Sequence, residues 1–209
     1  MQIIKLLGLF LILFSCKDNK KIEQTNISFE KDQYEIISQL INNIIPGSMP
    51  APPSPDFDLK DLDTIYYKKY IDSLKTLEIN IALSDKFITI NDIPKNLSKT
   101  LDKEFVSLLK KLENNKGNGG ISRNKLSIND NYKITMIDIE SYNNLRELFK
   151  DDYSRYIAVS NVVFNRIGNK AVVCFGEFTS PLSGYSVIYF LNKINNIWKI
   201  VESKKLSIT

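Results

Sequence analysis

The sequence predicts an α+β fold: N-terminal helices packed on a C-terminal antiparallel sheet of at least four strands. Two observations predict it. In residues 28–45 and 97–114, apolar side chains recur at intervals of three and four, the period of a helix with one greasy side. From residue 156 onward the pattern changes to β-rich runs at 157–164, 171–179, 185–192 and 197–203. Only short turn clusters separate them, namely Arg166-Ile167-Gly168-Asn169, Pro181-Leu182-Ser183-Gly184 and Asn195-Asn196. Connections that short force neighbouring strands to run antiparallel.

Taken in order, residues 6–14 are an uninterrupted run of Leu, Ile, Phe and Gly behind Lys5. About 20 apolar residues are needed to span a bilayer, so this run is too short to stay in one. A cation followed by a short apolar stretch is the pattern of an export signal. The run closes on Leu13-Phe14-Ser15-Cys16 and opens onto Lys17-Asp18-Asn19-Lys20-Lys21. Residues 16–27 are rich in Lys, Asn and Gln with little to bury, which predicts a flexible tether. A single domain is expected over 28–209, with Ser28 capping a helix whose Tyr34, Ile37, Leu40, Ile41 and Ile44 share one side. Pro46-Gly47 ends it. The prolines of 46–55 hold φ fixed and remove amide donors, so that stretch is a stiff connector.

A second helix is expected over 61–75, from Ile65, Tyr66, Tyr70, Ile71 and Leu74. Residues 79–83 and 86–90 read as a strand pair or one bent strand around Ser84-Asp85. The clearest helix, 97–114, carries Leu101, Phe105, Leu108 and Leu112 as an apolar stripe with lysines opposite. Asn114-Asn115-Lys116-Gly117-Asn118-Gly119-Gly120 ends it as a loop. Residues 132–140 read as a strand and 142–149 as a helical turn or two. The four-stranded meander follows, one face of which should carry the core.

Composition excludes several chemistries. The formal net charge of +4 comes from 28 basic and 24 acidic side chains interleaved along the chain. Nucleic-acid binders concentrate their cations, so no nucleic-acid partner is expected. There is no histidine, which removes the usual general base and the commonest metal ligand. No metal and no cofactor is expected. Asn129-Asp130-Asn131 with Glu140 lacks the spacing and central glycine of a calcium loop. Gly117-Asn118-Gly119-Gly120 lacks the Gly-Lys-Ser/Thr of a phosphate cradle. Asp151-Asp152 reads as solvated.

Leu13-Phe14-Ser15-Cys16 resembles the lipobox of bacterial lipoproteins. The resemblance implies a diacylglycerol on the Cys16 thiol, cleavage before it after residues 1–15, and acylation of the new amino terminus. Two or three acyl chains hold a protein to a membrane permanently where one would not. Phe164-Asn165, Lys170-Ala171-Val172-Val173, Pro181-Leu182-Ser183-Gly184, Tyr189-Phe190-Leu191 and Asn195 through Val201 look like the C-terminal sheet of a group of uncharacterised Gram-negative lipoproteins. In that group two cysteines flank a turn; Thr179 and Ser183 stand at those places here. More loosely, helices on a curved antiparallel sheet are similar to nuclear-transport-factor-2-like and cystatin-like folds. Fold analogy does not give function.

With Cys16 acylated, Cys174 has no partner for a disulfide and reads as a small buried hydrophobe. Four residues could line a pocket between sheet and helices. Glu177 lies in an apolar strand on the side of Ala171, Val173 and Phe175, where it marks the strand's exit from the core or serves as a carboxylate facing a ligand. Trp198, Tyr185 and Tyr189 are aromatics that fill a core rim or stack on a ligand. The expected function is therefore a lipid-anchored cell-envelope protein, a non-enzymatic binding module for a protein or small molecule. The alternatives are an inhibitor or immunity-type lipoprotein, and an enzyme with a pocket between sheet and helices. Location at the outer membrane, facing the periplasm or exposed at the surface, completes the expectation.

Overall fold

The computed structural model describes residues 17–44, 72–73, 77–117 and 119–208 of the 209. The expected leader at 1–15, Cys16, the expected proline connector at 46–55 and nearly all of the expected helix at 61–75 lie outside the described residues. Within them the chain is α+β, with strands predominating. Helix α1 runs Lys17–Asn42, α2 Lys103–Glu113 and α3 Leu145–Leu148. The strands are β1 (Ile79–Ser84), β2 (Tyr132–Ile137), β3 (Arg155–Val159), β4 (Val163–Phe164), β5 (Lys170–Ser180), β6 (Ser183–Ile194) and β7 (Ile197–Ile208).

The seven strands form one mixed sheet in the order β2-β1-β3-β5-β6-β7, with β4 paired to β5. From β3 onward every pairing is antiparallel, as the short turns require. The sheet does not stop there: β1 lies between β2 and β3 and is parallel to both. Parallel neighbours need long crossovers, and the segments carrying α2 and α3 supply them.

Both faces of the central strands are covered. One hydrophobic cluster joins Tyr34, Ile36, Ile37, Leu40 and Ile41 of α1, and Ile44 just beyond its end, to Ile81, Leu83, Ile157, Val159, Ala171, Val173 and Phe175. A second joins Phe105, Leu108, Leu109 and Leu112 of α2 to Val172, Cys174, Ile188 and Phe190. Successive residues of β5 therefore enter opposite clusters, which is why its first half reads as continuous apolar sequence rather than alternation. This differs from the expectation of a single core-bearing face.

Three further differences concern the elements. Residues 17–27, expected as a tether, are helical, continuous with the amphipathic part of the helix that follows, and the helix runs on through Ser28 rather than starting there. Residues 86–90 form no strand. Lys86 bridges Gly120 and Ile88 bridges Ser160, one contact each. Helix α2 begins at Lys103, not at 97, because Asp102 caps it by accepting from the amides of Glu104 and Phe105, both at 2.9 Å. A short 3₁₀ turn at Lys95–Ser98 precedes it.

The β6–β7 hairpin turns on Asn195 and Asn196, at φ 52° and 63°. Both central residues are left-handed, the geometry of a two-residue hairpin loop that matches strand twist and favours Asn and Gly. In the β4–β5 loop Gly168 sits at φ 71°, and a Cβ there would meet the Phe29 ring at 2.8 Å. Only glycine satisfies both conditions.

Candidate functional site

The four sequence-predicted site residues separate into two places. Glu177 in β5 stands opposite Ile157 of β3 and Tyr185 of β6. Residues directly opposite share a face, so all three lie on the α1 side of the sheet. Arg155, two residues before Ile157, is on the same side. Its Nε lies 2.9 Å from Glu177 Oε1, and the phenol of Tyr185 donates to Oε2. Both carboxylate oxygens are therefore engaged.

The burial explains the arrangement. Glu177 is 6% exposed, and a carboxylate taken out of water needs a charge or hydrogen-bond partner. Arg155 supplies the charge and Tyr185 the hydrogen bond. Burial, and then its bond to Glu177, push the Tyr185 phenol far above its usual range. Tyr189, two pleats on in β6, is raised by burial and by the Glu177 charge. Tyr132 at the start of β2 is raised by burial, with Glu177 adding a smaller effect. Its hydroxyl donates to the carbonyl of Ile44 at 2.6 Å, tying the end of α1 to the sheet.

Trp198 is elsewhere. It pairs with Lys193, eight residues along β6 from Tyr185, about 27 Å at roughly 3.4 Å per residue. The indole is 1% exposed in the cluster with α1. Phe164 lies 5.6 Å from it, and the Lys193 ammonium lies over it at 5.4 Å while bonding Asp32 at 2.7 Å. It is a core residue under a cation, not part of the Glu177 group.

Arg155 and Tyr132 were missed in the sequence. Arg155 stands between Ser154 and Tyr156, and Glu177 is 22 residues away. A buried acid inside an apolar strand was the available signal, since it demands a cation from a neighbouring strand.

Other candidates resolve simply. Cys174 is fully buried, and burial pushes its thiol up to about 12. Tyr142 donates to Asp151 at 2.9 Å. Among the described residues no group of three or more His, Cys, Asp or Glu could hold a metal ion, and no helix is long and apolar enough to cross a membrane.

An open groove of about 600 Å³ runs along the outer side of α1, between Lys31, Glu35 and Gln39 and the segment around Lys125 and Ser127. Its floor is a zipper of side chains at helical spacing. Tyr34 accepts from the Ser122 amide at 2.9 Å and Ser38 from the Ser127 amide at 3.0 Å. Asn42 bonds the Ser127 carbonyl and the Asn129 amide, both at 2.9 Å. The side chains of Tyr34, Ser38 and Asn42 are thus spent on holding the loop.

Compared with known proteins, the chain matches no family model, no curated protein and no solved structure. The class that fold and site define is an α+β chain with a mixed seven-stranded sheet and a buried glutamate engaged at both oxygens, by an arginine and a tyrosine.

Proposed function

We propose that the chain is a lipid-anchored envelope protein whose helices, laid on the sheet, form a non-enzymatic binding module. The observation that carries the anchor is Leu13-Phe14-Ser15-Cys16 closing the apolar run 6–14 behind Lys5. Acylation of Cys16 makes the membrane the first partner. The non-enzymatic part is supported by the Glu177 group. Its carboxylate is bound at both oxygens, the only described thiol is buried, and the chain has no histidine. A general base or nucleophile needs a free, positioned group. The ligand is a protein or a small molecule, and an inhibitor or immunity role is one form that binding would take.

Metabolic labelling with an alkyne palmitate analogue, followed by mass spectrometry of the mature N-terminal peptide, tests the anchor. The expected result is an acylated peptide starting at Cys16, abolished by Cys16→Ser. An unmodified peptide starting elsewhere overturns it. Fractionation and protease shaving of intact cells then separate a periplasm-facing from a surface-exposed outer-membrane protein.

A further inference from the structure

Seven large apolar side chains are exposed among the described residues: Leu77, Ile167, Leu182, Ile194, Ile197, Ile200 and Val201. Three of them gather at one end of the sheet. Ile167 tips the β4–β5 loop at 75% exposure, and Ile194 and Ile197 flank the β6–β7 turn at 43% and 59%. The two loops project side by side, because Lys170 pairs with Asn192 and the Lys193 amide donates to the Asn169 carbonyl at 2.8 Å. Ile200 and Val201 lie farther along β7: Ile200 pairs with Leu191 and so takes the face opposite to Ile197, and Val201 is the extra residue of a bulge. Exposed cations, Arg166 and Lys199, flank the two loops. Leu182 and Leu77 lie at the other end of the sheet.

The same end receives the beginning of the buried part of α1. Phe29 stacks on Phe164 at 5.2 Å and lies against Gly168, while Asp32 bonds Lys193. From Phe29 the helix continues to Lys17, next to Cys16. At about 1.5 Å per residue, Lys17 is about 18 Å from Phe29 along the axis, and Cys16 adjoins it in the chain.

We propose that this end, with Ile167, Ile194 and Ile197 at its tip, seats on the lipid surface. The inference rests on the reading of Cys16 as the lipid anchor. Apolar side chains set among cations suit the headgroup–acyl boundary, where a peripheral protein buries its apolar groups about 5–10 Å deep. A protein strand added to the β7 edge fits less well. Two bulges in the β6–β7 pairing, together with Lys199, Lys204 and Lys205, blunt that edge against pairing. The membrane then acts as a second contact that fixes which side of the body faces away from the bilayer.

The test uses the full acylated chain in vesicles of phosphatidylethanolamine and phosphatidylglycerol. An environment-sensitive dye is placed at Ile167→Cys or, as the internal control, at Leu182→Cys. Both positions are 75% exposed, so neither substitution threatens folding, and native Cys174 is buried. The expected result is a blue shift at position 167 and loss of its emission when nitroxide lipids are included, with no change at position 182. An acylated chain whose dye at 167 stays unshifted and unquenched, or is affected no more than at 182, overturns the inference alone. Shielding at 167 from an aqueous quencher without quenching by nitroxide lipids shows a protein contact and also overturns it. A mature chain without acyl groups on Cys16 overturns the anchor reading and this inference with it.

Discussion

Glu177 shows what one residue can demand of its neighbours. Inside an apolar strand its charge must be matched or given up, and Arg155 matches it from the next strand. Removing one member of a buried ion pair leaves the other unpaired, at a cost of about 3–5 kcal/mol, whereas replacing both with apolar groups of similar volume is near neutral. Arg155→Ala should therefore shift the urea midpoint down by a stability loss of that order. The double variant Arg155→Met with Glu177→Leu should recover most of it. A loss below about 1 kcal/mol for the single change would place the pair with surface ion pairs. The acid itself was legible in the sequence. Its partner was not, because the register that puts Ile157 opposite Glu177 is set by the whole ladder rather than by either segment.

Helix α2 illustrates the element scale. Phe105, Leu108, Leu109 and Leu112 fall on one face and are all buried, each contributing about 2 kcal/mol. The start of the helix is fixed by Asp102. Its carboxyl is held below the usual range first by its bond to Lys170, then by the amides of Phe105 and Glu104. Asp102→Ala should cost about 1 kcal/mol, read as a lower denaturation midpoint. Because the native carboxyl is depressed below 3.8, the stability that this cap contributes is present above about pH 4 and is lost as pH falls through the native value. The gap between wild type and Asp102→Ala should therefore narrow in acid; a gap constant down to pH 2 would contradict the assignment.

The apolar stripe of α2 could be read from spacing, but its first turn could not. Residues 97–101 continue the apolar period, while Pro94, the 3₁₀ turn and the Asp102 cap delay the helix to Lys103. In the same way 86–90 has β-rich composition, yet it pairs only through the single bridges of Lys86 to Gly120 and Ile88 to Ser160.

At the scale of the molecule, four phenols on three strands respond together. Tyr132 in β2, Tyr156 in β3, and Tyr185 and Tyr189 in β6 are all raised above 10.0, with burial the leading cause in each. A group whose native pKa is raised contributes stability that is complete below its unfolded value and lost as pH rises through the native one. The chain should keep full stability up to about pH 10 and lose it steeply above, with phenolate absorbance rising together with loss of structure. Tyr185→Phe should make that alkaline loss shallower, and an unchanged alkaline slope would show that Tyr185 does not contribute.

By itself the sequence determined the local matters: the Cys16 motif, the turns at Asn195-Asn196 and Pro181-Leu182, the α2 stripe, and the burial of Cys174 implied by its apolar neighbours. Each depends on residues within a few positions of one another. Only the tertiary structure decided that β1 and β2 extend the antiparallel strands in parallel, that both faces of β5 are covered, that Arg155 meets Glu177 while Trp198 lies far from it, and that Ile167, Ile194 and Ile197 share one end with the start of the buried part of α1. Those facts come from register and crossover, which arise when distant segments compete to bury the same apolar surface, and no local spacing encodes the outcome.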